Sequence, residues 1–382
     1  MDLSTVLFLG CLAIAGHFLV FYPLYLLVVP SRTRPVLKAS GHASEVSILM
    51  AVHNGADLLP AKIENLLNLD YPNELTQIVV ISDGSTDESD AIVRRYAGRG
   101  VELVSLPRGG KAAALNAGLA RATGDVVFFC DVRQRVDSQA LRHLVANFAD
   151  PQVGAVTGEL RILKPHGAVG EQADMDLYWR YELWVRTRQS AIWSLFNTTG
   201  CLYAMRRELC RPLPPGTLGD DAVLPLGAYL KGFRIVFDPE AIAYDYATQS
   251  GTDWKRRMRT LSGMWQTYRI YPQLLLPHRM WFHFFSHKLG RLLLPWTLIA
   301  ALVASLLMPG SPWKWWIVGA QLAWISLALL DPFIPRAVLG KRFTSLSRTF
   351  LVMNLAALLS VKVFFVSPLS MWGTTKVDRG SS

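Results

Sequence analysis

Apolar and polar positions along this 382-residue chain change rhythm from one region to the next. Residues 5–29 carry no charge and are long enough to cross a hydrocarbon layer, which needs roughly 20 apolar residues. From residue 46 onward, short β-branched runs at 46–52, 78–82, 101–106, 126–130 and 153–157 alternate with helical patterns at 57–68, 88–97, 112–122 and 138–147. That alternation predicts an α/β sheet assembled from crossover units, with a mostly parallel strand arrangement and helices on both faces. Past residue 157 the rhythm changes to helices rich in Trp and Tyr, 174–193 and then 219–231, followed by a strand at 234–237. Three apolar spans close the chain at 292–308, 313–330 and 350–366. Lys362 lies inside the last, as in a re-entrant or bundle-facing segment.

The expected organisation is a transmembrane anchor over 1–30, an α/β domain over 31–270, an interfacial amphipathic segment over 271–291 and a membrane region of two or three spans over 292–382. A cleaved leader fits the first segment poorly, because it starts with Asp2 instead of a basic stretch and lacks a small-x-small cleavage site. The composition, 51% hydrophobic and 18% charged, agrees with a membrane protein. Arg32, Arg34 and Lys38 follow the first span, and Arg336, Lys341, Arg342 and Arg348 separate the last two. Basic residues favour the cytoplasmic side, so the α/β domain is expected in the cytoplasm, held at a plasma or inner membrane. Lys376 and Arg379 of the tail would then lie outside.

The net charge of +10 is uneven: no Asp or Glu occurs between residues 254 and 330, where Lys255, Arg256, Arg257, Arg259, Arg269, Arg279, Lys288 and Arg291 all fall. Such asymmetry suits an anionic bilayer surface. Residues 274–288 set Trp281, Phe282, Phe284 and Phe285 among His278, His283 and His287, the pattern of an interfacial helix. Nucleic acid is not an expected partner, since no nucleic-acid motif accompanies the charge. Cys11, Cys130, Cys201 and Cys210 have no metal spacing, and neither Gly-x-Gly-x-x-Gly nor Gly-x-x-x-x-Gly-Lys-Ser/Thr occurs.

Several strands end in chemistry. Residues 77–87, Gln-Ile-Val-Val-Ile-Ser-Asp-Gly-Ser-Thr-Asp, deliver Asp83 to the C-terminal edge of a sheet, where open α/β folds bind ligands. Ser85, Thr86 and Asp87 are placed to cap the next helix. Lys111 follows Gly109 and Gly110 at a helix start, where free N–H groups and an ammonium both favour an anion. Asp131 ends an apolar strand and must be paired, solvated or metal-bound. Asp220 and Asp221 open a helix, where acids also serve as ordinary dipole partners.

Ser82-Asp83-Gly-Ser-Thr-Asp87, Gly110-Lys111-Ala-Ala-Ala-Leu115-Asn116-Ala-Gly118, Cys130-Asp131 and Gly219-Asp220-Asp221 together resemble family 2 glycosyltransferases of the GT-A fold, over about residues 46–266. The likeness is to the membrane-bound group that includes cellulose, hyaluronan and poly-N-acetylglucosamine synthases. It implies transfer of a sugar from a nucleotide diphosphate sugar, expected to be a UDP-sugar, to a lipid-linked or glycan acceptor. By the same resemblance Asn54 and Asp83 meet the nucleoside, Lys111 the nucleotide or phosphate, and Asp131 the diphosphate with a divalent cation, Mg2+ or Mn2+. Asp221 would be the general base, Asp220 its orienting neighbour, and Arg259 would stand behind the departing diphosphate. Thr199-Gly200-Cys201 and Arg206 resemble the segment lining the acceptor side.

Three departures qualify the resemblance. Gly55-Ala56 replaces the acid that often follows the Asn. Arg133 stands where Asp-x-Asp has its second carboxylate, so either Arg133 neutralises the pyrophosphate or Asp131 alone holds the ion. Arg256 and Thr260 replace the Gln and Trp of Gln-x-x-Arg-Trp, which speaks against long-chain polymerisation. Trp179, Tyr181 and Trp184 have the helical spacing of core residues rather than of a sugar platform. Two alternatives stay open: a processive synthase that secretes its product, and an inactive nucleotide-sugar-binding scaffold in an envelope complex. No protein partner can be named from the sequence.

Overall fold

The computed structural model describes residues 2–31, 35–163, 172–246, 250–310, 312–335 and 340–367. Arg32, Arg34, Arg336, Lys376 and Arg379 of the orientation argument lie outside these residues. The chain divides into two compact units, one drawn from Met1–Pro30, His166–Val185 and Ser250–Val366, the other from Ser31–Pro165 and Arg186–Gln249.

The second unit is built on an eight-stranded sheet. Its strands are β1 (Val46–Val52), β2 (Thr76–Asp83), β3 (Val101–Leu106), β4 (Val126–Cys130), β5 (Arg135–Val136), β6 (Val153–Leu163), β7 (Leu202–Arg206) and β8 (Arg234–Tyr246). The order across the sheet is β3-β2-β1-β4-β7-β6-β8-β5. β1, β2, β3 and β4 pair in parallel, as crossover connections require. β7 enters antiparallel to both β4 and β6, which makes the sheet mixed. The apolar runs of β1, β2 and β4 are almost wholly buried, the signature of strands covered on both faces.

Helices Leu59–Leu67, Ser89–Arg94, Lys111–Arg121 and Ala140–Ala146 fall within or close to the four predicted stretches. Lys111–Arg121 lies so near the sheet that a Cβ on Gly118 would come within 2.8 Å of Ile81 Cδ1. Two strands outrun their predicted ends. β8 continues past Phe237 through Asp238, Pro239 and Glu240, residues of low strand propensity, because β6 supplies a paired neighbour across a register shift between Thr157 and Glu159.

Among the described residues, the first unit holds four helices long and apolar enough to span a membrane: Leu3–Val28, Trp281–Leu307, Pro312–Phe333 and Lys341–Phe364. Two expectations change here. The segment expected as a separate interfacial helix is broken into Pro272–Leu275 and a helical stretch from Trp281 that runs on into Gly290–Leu307. Its aromatic and histidine side chains pack inward: Phe282 meets Tyr22 and Tyr25 edge-on, and the Tyr22 hydroxyl lies 3.2 Å from His283 Nδ1. Aromatic and imidazole groups therefore join two helices. The last span begins earlier than predicted, which leaves Lys362 in a closing turn, Ser360–Phe364.

Buried charge in this unit is paired. The Glu182 carboxylate accepts from Lys288 Nζ at 3.3 Å and Arg291 Nη2 at 2.6 Å, with His287 Nε2 at 3.2 Å. Burial raises the Glu182 carboxyl, but Lys288 and Arg291 together hold it well below the usual range. Glu182→Gln removes the carboxylate that Lys288 and Arg291 share. The expected loss is about 3 kcal/mol, read as a lower unfolding midpoint in detergent.

Candidate functional site

The C-terminal ends of β1, β2 and β4, with the loop before helix Asp220–Tyr229, supply the side chains of the site. The turn after β2 comes first. Gly84 has φ +63, and a Cβ there would lie 2.6 Å from Arg108 N, so only glycine fits this close approach. The Asp83 carboxylate, nearly fully buried, accepts from the backbone N–H groups of Gly109 at 2.7 Å and Gly110 at 3.0 Å, and pairs with the Arg108 guanidinium. Thus the anion received by the glycine turn before the Lys111 helix is the protein's own Asp83.

Asn54, at φ +50, fastens the neighbouring turn: its side-chain oxygen accepts from Thr86 N at 2.8 Å, and its own N–H donates to Ser85 Oγ at 3.1 Å. Asp87 accepts from Ser89 N at 3.0 Å and from Ala56 N at 3.0 Å, but the N-cap of helix Ser89–Arg94 is Glu88, whose side chain makes no capping bond, so the expected cap from Ser85, Thr86 or Asp87 is replaced by a tie between two turns. His53 Nδ1 lies 2.9 Å from the Asp83 carbonyl. Asn54 and Asp83 consequently sit on two turns joined by these bonds.

Lys111 occupies the middle of the site. Its Nζ lies 3.0 Å from Asp131 Oδ1 and 3.3 Å from Asp220 Oδ1. Burial alone would lower this ammonium, yet the Asp131 and Asp220 charges raise it above the ordinary lysine value. Burial likewise opposes ionisation of Asp131, and the Lys111 charge more than offsets it. Asp131 keeps 38% of its side chain exposed against 8% for Asp220, so Asp131 is the carboxylate open to a ligand. The Tyr203 hydroxyl donates to Asp220 Oδ2 at 3.5 Å, a long contact.

Asp221 is held through its backbone, whose carbonyl accepts from Thr198 N at 2.8 Å and Thr198 Oγ1 at 2.9 Å. Gly200 lies against its side chain: a Cβ at that position would meet Asp221 Oδ2 at 3.4 Å. Burial, then the neighbouring Asp220 charge, push the Asp221 carboxyl up to about 6. Two adjacent acids are thereby differentiated, one tied to an ammonium and one poised near neutrality.

Arg133 is engaged. Its Nε and Nη2 reach the two oxygens of Asp245 at 3.1 and 2.6 Å. Among the motif residues, Asn116 binds Leu213 through both its amide groups, and Arg206 donates to the carbonyls of Phe148, Asp150 and Val153. Both fasten loops. Arg259 lies on helix Ser250–Ile270 of the first unit, apart in the chain from the residues gathered here. Arg108, Tyr203 and Asp245 were not foreseen. A cation in place of an expected acid was a signal that a partner acid must exist, though nothing in the sequence pointed to Asp245.

As a metal site the donor set is sparse. Among the described residues no group of three or more His, Cys, Asp or Glu is disposed to hold an ion. Asp131 fits as the one side-chain ligand of a hard cation whose remaining oxygens come from phosphates and water.

Residues 47–213 match the family model described as Glycosyl transferase family 2. Beta-monoglucosyldiacylglycerol synthase of Nostoc sp. is 30% identical over 267 residues, 66% of this chain and 56% of that protein. Poly-beta-1,6-N-acetyl-D-glucosamine synthase of Staphylococcus aureus is 26% identical over 225 residues, 57% of this chain and 54% of that protein. The chain thus spans about half the length of the curated relatives it matches. Among solved structures, mannosyltransferase PcManGT from Pyrobaculum calidifontis, in complex with GDP-Man and Mn2+, superposes with a TM-score of 0.70 at 23% identity, covering 95% of this chain and 99% of that one. The likeness establishes the GT-A fold.

Replacing the central ammonium tests the electrostatics independently of any activity. In Lys111→Met the carboxylates of Asp131 and Asp220 face Asp221 uncompensated. Without that cation the folded-state pKa of Asp131 rises, so the variant is least stable relative to wild type at neutral pH and recovers as falling pH protonates it. Expected is a Tm deficit that shrinks between pH 7.5 and pH 5; a deficit independent of pH would contradict the arrangement.

Proposed function

We propose, from the match of residues 47–213 to the family 2 glycosyltransferase model, that the protein is a membrane-bound inverting glycosyltransferase that moves a sugar from a nucleotide diphosphate donor, a UDP-sugar, to a lipid-linked or glycan acceptor. The observation that carries this reading is the differentiated pair: Asp221, raised to about 6, beside an Asp220 bound to Lys111. An acceptor hydroxyl must lose its proton as its oxygen attacks the anomeric carbon. A carboxylate with a pKa near the working pH is suited to take it. The bond from the anomeric carbon to the diphosphate breaks as the new C–O bond forms on the opposite face, so the configuration inverts.

On the donor side, Asp131 takes the diphosphate together with a divalent cation, which would neutralise charge building on the leaving group. Lys111 lies beside it and can turn from the carboxylates to a phosphate oxygen. Arg133 adds a further positive charge, and the loop of Asn54 and Asp83 accommodates the nucleoside. Arg259 is assigned to the departing diphosphate from the resemblance of residues 256–260 alone. The solved mannosyltransferase carries GDP-Man and Mn2+, which supports a nucleotide sugar with a divalent ion. Relatives named for glycolipid and polysaccharide synthesis support a lipid or glycan acceptor. The four membrane-length helices among the described residues support membrane attachment, and the basic residues that follow the first span and separate the last two support a cytoplasmic catalytic domain.

Purified protein in nanodiscs, assayed with a panel of UDP- and GDP-sugars and lipid extracts, tests the reading. Asp221→Asn is expected to lower kcat by about 100-fold or more while donor affinity changes little. Undiminished turnover in that variant would remove the base from the mechanism. For wild type, the base acts when deprotonated, so kcat should rise with pH through about 6 and level off above it. EDTA should abolish transfer at ordinary donor concentrations, and Mg2+ or Mn2+ should restore it.

A further inference from the structure

We propose that Asp245 is a positioning residue that fixes Arg133 as a protein-borne cation for the donor diphosphate, taking over part of the neutralisation that a second metal-binding carboxylate would recruit through the ion. The inference rests on the glycosyl-transfer reading and concerns how its diphosphate is held. Asp245 stands near the end of β8 and is 2% exposed. Its carboxylate accepts from Arg133 Nε and Nη2, from Gln134 Nε2 at 2.8 Å and from Tyr246 N at 2.8 Å. Such a two-pronged contact fixes the plane of a guanidinium, which one bond would leave free to turn. Nη1 of Arg133 makes no hydrogen bond to the described residues, and 18% of the side chain stays exposed.

The turn carrying Arg133 is held on its other side as well. Lys62 Nζ donates to the Gln134 carbonyl at 2.7 Å, and Asn65 binds both the N–H and the carbonyl of Val136 at 2.8 Å. With helix Leu59–Leu67 on one flank and β8 on the other, Arg133 has little room to swing. Arg133 stands two residues beyond Asp131, the residue assigned to the diphosphate, on the turn that leaves the C-terminal end of β4.

A purely structural strut is the competing account. Buried ion pairs gain little over well-packed apolar groups, so stability alone is a weak reason for one beside a ligand site. A second observation points to a ligand: Gln134 is 4% exposed, its amide nitrogen is spent on Asp245, and its Oε1 has no hydrogen-bond partner. Such an acceptor is costly unless a donor arrives, as a sugar hydroxyl or an ordered water bound with the substrate would. Placing a cation two residues beyond Asp131 also disfavours a second metal carboxylate there, so the chain's own charge must serve.

Calorimetric titration of the full-length protein with UDP and with GDP, in EDTA and in Mg2+, tests this. Wild type is expected to keep measurable nucleotide affinity in EDTA. Arg133→Gln should weaken that metal-free binding about tenfold, and Asp245→Asn by a similar factor. If Asp245 acts through Arg133, the double variant should bind no worse than Arg133→Gln alone. The exchange Arg133→Asp with Asp245→Arg restores the ion pair in reverse. It should recover Tm yet leave binding weak in EDTA and strongly dependent on Mg2+. Recovery of EDTA affinity by the exchange would identify a strut and overturn the proposal, as would equal affinities across all variants. Wild type that binds neither nucleotide under any condition would instead overturn the glycosyl-transfer reading, and this proposal with it.

Discussion

The ammonium of Lys111 stands between a carboxylate at the end of β4 and another at the start of helix Asp220–Tyr229. Without that cation, three acids from separate parts of the chain would repel one another in a poorly hydrated cleft. With it, each acid acquires a distinct state. Asp131 is held ionised and open to solvent, Asp220 is buried against the ammonium, and Asp221 is left to feel burial and its neighbour's charge. Division of labour among acids thus follows from where one lysine points.

Charge at the opposite end of the site is used differently. Asp83 spends its oxygens on two backbone N–H groups and on Arg108, so it shapes the loop leading to Lys111. An acid that organises the Arg108–Gly110 turn also sets the start of helix Lys111–Arg121 and, through it, the approach of the lysine to Asp131. The two ends of the site are therefore linked by one short helix whose first residue is the shared cation.

Much of this was readable in advance. β1, β3 and β4 begin and end where their apolar runs do, because strands covered on both faces need uninterrupted hydrophobicity. Asp83, Lys111, Asp131 and Asp221 were legible as polar residues at strand or helix ends, positions that a parallel sheet gathers at one edge. Pairing was not legible. The partners of Lys111, Arg133 and Asp83 lie up to 112 positions away in sequence, and proximity of that kind is decided by packing. The helix pairing of the aromatic and basic stretch 274–288 was not legible for a physical reason: the same composition that suits a lipid interface also suits a helix pair cemented by rings and imidazoles. Antiparallel entry of β7 likewise left no trace in periodicity, since one buried strand looks the same in either direction.

The N-terminal span is more than a tether. Ala15 and Phe18 pack with Leu294, His17 Nε2 lies 2.9 Å from Ser286 Oγ, and a Cβ on Gly290 would come within 2.6 Å of the Phe18 ring. Hydrophobicity alone does not encode such a fit. A generic apolar segment of equal length would match the hydrophobicity but would uncover the face of Trp281–Leu307 on which these side chains pack, and would remove the bonds that His283 and Ser286 make to Tyr22 and His17. Expression strategies that swap or trim Leu3–Val28 therefore alter the packing of the unit to which it belongs.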